Sequence, residues 1–286
     1  PRFPAEDAVG SQEECGIAGR MPSASPPSAA ASLAHPRSGS PGPVWTLGDA
    51  TIDARLPAEG LDRTSLHELK PAAYGDWPAG LAFALQLSIR LSDALAKEKD
   101  DRRSILFCWP TALAGEIGRL YAPGVVALGL PLDNLLVVET ARAAETLWAM
   151  EEGLRSGAVL LVVGGVTEIG LTPARRLALA AAATATPCLA LTAPATAPAA
   201  ATATRWRIGR QPSARHVFEN GAPGAARLSL ALERCRNAPA TALSGMHVVE
   251  WCDVARRFHL ASGLADRASD AGGARHHPRG PVLRAG

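Results

Sequence analysis

Between residues 44 and 264, short continuous apolar runs alternate with longer stretches in which apolar positions recur every three or four residues. Residues 65–69 read as a short strand. Over 79–95, Phe83, Leu87 and Leu91 recur at intervals of four and Leu81, Leu85 and Leu95 widen the stripe, which predicts a helix. The charged run 97–103 ends it. Residues 104–109 predict a buried strand closed by Pro110, and 113–128 a helical stretch interrupted by Pro123 and closed by Gly129. A strand follows over 135–138, then a helix over 141–155 with Thr140 as N-cap and Gly157 just past its end. The most apolar strand spans 158–163. Thr172 and Pro173 supply an N-cap and a first-turn proline for a helix reaching Ala185, and 187–191 form the next strand.

Strands that are apolar throughout, separated by amphipathic helices, imply an α/β fold with a mostly parallel sheet covered by helices on both faces. After the Ala/Pro/Thr loop 193–204 the pattern changes. Segments 205–208, 227–235 and 247–251 read as strands without helices between them, so antiparallel strands are expected at the C-terminal edge. Residues 1–43 and 265–286, rich in small residues and Pro, cannot bury enough surface to offset their ordering entropy and are expected to be disordered. The domain is expected to span 44–264. No internal repeat stands out.

Composition narrows the picture only a little. The 286 residues are 47% hydrophobic and 20% charged, with a formal net charge of +2. That balance does not argue for nucleic-acid binding or for steering to a membrane. The longest apolar runs are broken by Pro or charge, so no membrane span is expected, and no secretory signal is read. The five cysteines show neither CxxC pairing nor metal spacing, which fits a reducing cytoplasm. Cys108 and Cys188 read as small buried hydrophobes, and the adjacent His276 and His277 as part of a tail.

The candidate chemistry lies between the first core strand and its helix, the usual phosphate cradle of such sheets. A P-loop runs G-x-x-x-x-G-K-[ST], its glycines exposing backbone N–H groups, its Lys reaching the phosphates and its hydroxyl holding Mg²⁺. Here Gly75 and Gly80 keep the spacing, but Leu81 replaces the Lys and Ala82 the hydroxyl. A charge-assisted contact contributes roughly 1.5–3 kcal/mol, and phosphoryl transfer depends on positioned Mg²⁺. The strand over 158–163 runs into Gly164 where an ATPase needs a metal-ordering acid, with Glu168 the nearest carboxylate downstream. Trp109, not Glu, ends the strand over 104–109. Neither a cofactor nor a metal is therefore expected.

The order of these pieces resembles RecA-type recombinases. Trp45 to Gly48, Ile52-Asp53 and Gly60-Leu61 look like the segment before the P-loop strand. Leu128-Gly129, Asp133 to Leu136 and Gly153 to Ala158 match the core in spacing. A narrower family, the RecA-like and SulA-related ImuA proteins, is similar over more of the chain. It matches at Leu66-His67-Glu68-Leu69, Leu120 to Gly124, Leu147 to Glu152, Thr204 to Ile208, Leu232 to Arg236 and Val249-Glu250-Trp251. This resemblance implies a RecA-like P-loop-type core and a non-catalytic role in SOS-induced, error-prone translesion synthesis. The implied partners are an ImuB-type Y-family-like protein and an error-prone DnaE-type polymerase, with RecA a further candidate and DNA contact indirect or weak. A SulA-like inhibitor of cell division and a RecA-like ATPase with residual nucleotide binding stay open as alternatives.

Trp148 and Met150 sit at helical spacing, and core packing is the simpler reading of both. Arg205 and Arg207 alternate on one strand with Trp206 behind them, and Arg234 and Arg236 repeat the arrangement. A small basic face for a partner or DNA is expected if those arginines point outward. Arg256, Arg257 and Phe258 are a weaker candidate, a partner-binding helix end. The loop 193–204 carries no charge, which argues against direct strand exchange.

Overall fold

The computed structural model describes residues 43–99, 103–216, 218–219, 222–236 and 245–261. All belong to the unit Ser40–Gly286. The tails expected to be disordered lie outside the described residues, apart from Pro43, and so do His276 and His277.

A two-residue strand β1 (Val44–Trp45) pairs antiparallel with β2 (Leu61–Asp62), and helix α1 (Ala50–Asp53) lies between them. Asp49 caps α1 by accepting the N–H groups of Thr51 and Ile52. The main sheet starts with β3 (Leu66–Pro71), followed by the long helix α2 (Trp77–Lys99) and β4 (Ile105–Pro110). The stretch broken at Pro123 forms two short helices, α3 (Thr111–Ile117) and α4 (Ala122–Ala127), and Gly129 takes the left-handed φ expected after a helix end. Then come β5 (Leu135–Thr140), α5 (Ala143–Ser156), β6 (Leu161–Gly165), α6 (Leu171–Thr184) and β7 (Cys188–Leu191). The chain ends in β8 (Thr204–Gln211), β9 (Arg227–Cys235), β10 (Met246–Cys252) and β11 (Arg257–Leu260).

Among the described residues, β3 to β11 form one nine-stranded sheet in the order β11-β10-β9-β8-β3-β7-β6-β4-β5. From β8 to β5 all neighbours are parallel, while β9, β10 and β11 continue the other edge antiparallel. The connections from β3 to β5 run toward one edge and those from β5 to β8 return. Right-handed crossovers therefore put α2, α3 and α4 on one face and α5 and α6 on the other. Alternate residues of each parallel strand feed the two cores. Phe107, Leu161 and Leu189 join Phe83 and Leu87 of α2, whereas Leu106, Val162 and Cys188 join Met150, Leu154 and Leu177 of α5 and α6. Burial pushes the Cys108 thiol up to about 12 and raises Cys188 as well, the behaviour of small apolar core residues.

Helix α2 is buried all round over residues 83–89, including Gln86 and Ser88, whose hydroxyl bonds back to the Ala84 carbonyl. Its stretch Tyr74–Lys97 has the length and composition of a membrane span, yet 61% of its apolar window is buried inside the fold. A helix apolar on every side is what the centre of a layered core requires.

Several boundaries differ from the sequence expectation. Thr140 ends β5 instead of capping α5. Its hydroxyl lies 2.6 Å from that of Thr146, while the Glu145 carboxylate accepts the N–H groups of Ala141 and Arg142, so the helix starts later. Gly170, not Thr172, is the N-cap of α6, which leaves Pro173 third in the first turn, where no intrahelical N–H is needed. The strand expected over 158–163 begins at Leu161, because Val159 and Leu160 are a buried lead-in. Arg256 to Phe258 are not a helix end: Phe258 is buried in β11, packed 5.0 Å from the ring of Trp251.

Gly164 and Gly165 are contact points between layers. A Cβ at Gly164 would overlap the Met150 side chain, and one at Gly165 the Trp109 ring. Gly165→Ala is therefore expected to destabilise the fold by roughly 1–3 kcal/mol, measured by urea unfolding, and Trp109→Leu in the same chain should recover part of the loss.

Candidate functional site

The loop from β3 to α2 leaves the carboxyl end of the parallel strands, where a phosphate cradle is expected. It is short and closed on itself. The Ala72 N–H bonds the Ile208 carbonyl at 2.6 Å, a 3₁₀ turn covers Tyr74–Asp76, and α2 begins at the next residue. The Asp76 carboxylate is buried and accepts the N–H groups of Ala73 at 3.1 Å and Arg210 at 3.3 Å. An N–H group and helix terminus that would attract phosphate thus already face a carboxylate of the chain itself. A second acid, Glu116 of α3, accepts the Tyr74 hydroxyl at 2.5 Å on the same rim. The exposed Arg210 guanidinium lies over Gly75 and 3.5 Å from Asp76.

The two glycines keep the P-loop spacing without its geometry. Neither Gly75 nor Gly80 has a positive φ, and Gly80 is an ordinary helical residue against Pro71. An N–H nest needs alternating right- and left-handed residues, which this loop lacks. Leu81 packs against the core and Ala82 is half-buried, so neither offers a polar group.

The other two expected gaps are filled by packing. Trp109 at the end of β4 stacks on Phe107 at 5.0 Å and meets Trp77 edge-on at 6.1 Å. Gly164 sits under Met150, and Glu168 is exposed on the connection from β6 to α6. Among the described residues no group of three or more His, Cys, Asp or Glu is placed to hold a metal ion.

What the sequence reading missed is the chemistry of β3 itself. All six of its residues are buried, and three are ionisable. Glu68 pairs with Arg205 at 2.7 Å and accepts the Thr192 hydroxyl at 2.9 Å and the Ala199 N–H at 3.2 Å. The Lys70 ammonium lies 3.9 Å from Glu68 and donates to the carbonyls of Ala193 and Thr196, both at 2.9 Å. Burial lowers the Lys70 pKa, partly offset by Glu68. His67 is fully buried between Thr204 Oγ1 and the Asp62 carbonyl, both at 2.8 Å, and burial holds its pKa below the usual value. The uncharged loop from β7 to β8 is therefore anchored from beneath by Glu68 and Lys70 of β3, together with Arg205, which donates to the Ala199 carbonyl. Three ionisable residues within a six-residue strand-like segment were the available signal.

The four arginines do not make one open basic face. Arg205 and Arg207 share a face of β8, but Arg205 is buried against Glu68, and Arg207 is paired with Glu233. Arg234 lies opposite Arg205 across a bulge and is exposed, and Arg236 donates to the Ala201 carbonyl. On the α5–α6 layer that covers the same face of the sheet, Glu151 of α5 holds Arg155 at 2.5 Å and Arg176 of α6 at 2.7 Å. Met150 is fully buried as expected, whereas Trp148 is 62% exposed and walls a cleft of about 220 Å³ between α5 and α6.

The chain is thus an α/β protein with a mostly parallel sheet, antiparallel strands at one edge, and a strand–helix loop filled by its own acid. No family model matches it. It is 31% identical over 208 residues to Protein ImuA of Caulobacter vibrioides, from both strain NA1000 / CB15N and strain ATCC 19089 / CIP 103742 / CB 15. The match covers 68% of this chain and 80% of each relative, and the chain belongs to the ImuA family.

Removing one member of the buried pair leaves the other charge uncompensated. Arg205→Met should destabilise by about 3–5 kcal/mol, and the double change Glu68→Gln with Arg205→Met should cost less, read from denaturant melts. His67 sets a pH dependence. Its folded pKa lies below the unfolded value of 6.5, so its stabilisation is complete above that value and lost as pH falls below it. His67→Gln should flatten the stability profile just below pH 6.5 when melts are compared across pH.

Proposed function

We propose that the chain is a non-catalytic accessory protein of DNA-damage-induced mutagenesis, acting through protein–protein contacts. Membership of the ImuA family supports the damage-induced role. The partners this reading implies are an ImuB-type Y-family-like protein and an error-prone DnaE-type polymerase, with RecA a further candidate. The cytoplasm, where such polymerases act, is the compartment it implies.

The observation that carries the non-catalytic part is the Asp76 carboxylate on the Ala73 N–H, with Leu81 and Ala82 beside it. A phosphate entering there would meet a buried negative charge, no Lys and no metal-holding hydroxyl. The strand order, with helices on both faces and the β3–α2 loop at the carboxyl end, supports a RecA-like core kept for its surfaces. Indirect or weak DNA contact fits the neutralised Arg205 and Arg207 and the uncharged, anchored loop before β8.

Calorimetric titration of the full chain with ATP and Mg²⁺ should give no binding heat, and tight Mg²⁺-dependent binding would overturn the non-catalytic reading. Deleting the gene should lower mutation frequency after ultraviolet damage, and the tagged protein should co-purify with the ImuB-type partner. Recovery of an FtsZ-type division protein in its place would favour the SulA-like alternative.

A further inference from the structure

The two edges of the sheet are finished differently. At β11 the edge carries Arg257 and His259, and two of its N–H groups are used: Phe258 donates to the Leu47 carbonyl and Leu260 to the Asp49 carboxylate. Charged residues and covering segments of this kind are how proteins blunt a sheet edge. At β5 the opposite holds. Among the described residues the strand pairs with β4 on one side only, and Leu136, Val137 and Val138 are all exposed. Because successive residues point to opposite faces, the exposure affects both faces of the strand. Tyr121, Val126 and Leu132, from the segment leading into β5, add exposed apolar surface. Parallel strands are normally covered on both faces, and a contiguous apolar edge marks an association surface.

The sequence along this edge says what fits it. From Asp133 to Arg142 it is acidic at its start, apolar in the middle and basic at its end. We infer that β5 pairs antiparallel with β5 of a second copy of this chain, about a two-fold axis at Val137. In that register Val137 faces Val137, Leu136 faces Val138, and Asn134 faces Thr140. Asp133 lies opposite Ala141 and beside Arg142, an exposed guanidinium that Glu145 of its own copy holds at 2.5 Å and that has room to reach Asp133 as well, giving complementary charge at both ends. Glu139, already neutralised by Arg119 at 2.7 Å within its own copy, faces Leu135. A parallel, in-register stack would instead set Asp133 against Asp133 and Glu139 against Glu139. The two-fold arrangement also closes on itself: each copy uses its β5 edge once, so no apolar edge is left to propagate. The pairing is independent of which protein partners the chain serves.

Sedimentation velocity of the full chain over a range of concentrations should show a monomer–dimer equilibrium. Val137→Lys sets two ammonium groups across the axis and should weaken the dimer by about a hundredfold or more, with a melting curve that matches the wild type at concentrations where both are monomeric, because Val137 is exposed. Mixing Val137→Lys with Val137→Glu should restore dimers that neither forms alone. Val137→Cys should cross-link to itself on mild oxidation beyond the wild-type background, and Leu135→Cys should not. A folded chain that stays monomeric at every concentration overturns the inference, as does a dimer indifferent to Val137→Lys. Binding of another protein's strand at β5 by a chain that is itself monomeric overturns it too.

Discussion

The carboxylate of Glu68 sits in the middle of the central strand of the sheet, with no access to water. A buried charge without partners costs several kcal/mol, so the fold around it is constrained to supply them. It does so from three places in the chain: Thr192 at the end of β7, the Ala199 N–H in the crossover loop, and Arg205 at the start of β8. Lys70, two residues further on, holds the same loop by its carbonyls. Together these bonds fix the course of a segment of Ala, Pro and Thr that has little else to order it. They also bring β8 beside β3 as the last parallel strand. The antiparallel extension through β9, β10 and β11 follows from that placement.

The same network bears on how the arginines can be used. A basic residue on a strand near the end of a sheet is available to a partner only if nothing inside the protein needs its charge. Arg205 is needed by Glu68, and Arg207 is held by Glu233. On the α5–α6 face, Arg155 and Arg176 are drawn to the buried Glu151 in the same way. Much of the positive charge on these elements is spent internally. Trp148, in the α5–α6 cleft beside Glu151 and Arg176, and the residues of the β5 edge expose apolar surface instead.

The loop at the phosphate-cradle position is filled by groups of the chain itself. Removing Lys and a hydroxyl from a P-loop would leave N–H groups pointing at solvent. Here Asp76 turns back onto the Ala73 N–H, the loop tightens into a 3₁₀ turn, and Trp77 and Trp109 pack edge to face beneath it. Gly164 and Gly165 serve close packing against Met150 and Trp109. Residues 72–75 of the loop stay exposed, and the buried Asp76 and Trp77 fill the position beneath them.

Residue pattern alone determined the layer architecture: the continuous apolar strands, the helices on both faces, and the change to helix-free strands after residue 204. Those follow from local periodicity, which each segment carries within itself. The absence of Lys and hydroxyl at Leu81 and Ala82 was equally legible, because it is a matter of residue type. Tertiary structure alone decided the rest. The N-cap of α5 fell to Arg142, whose N–H the Glu145 carboxylate accepts, and not to Thr140, and Trp148 faced outward although its helix positions read as core. Glu68, Lys70 and Arg205 proved to be one buried network, with His67 held apart from it by Thr204 and Asp62. Such outcomes depend on which residues from distant segments meet, and on whether a charge finds its partner inside the protein or in solvent. No run of consecutive residues carries that information.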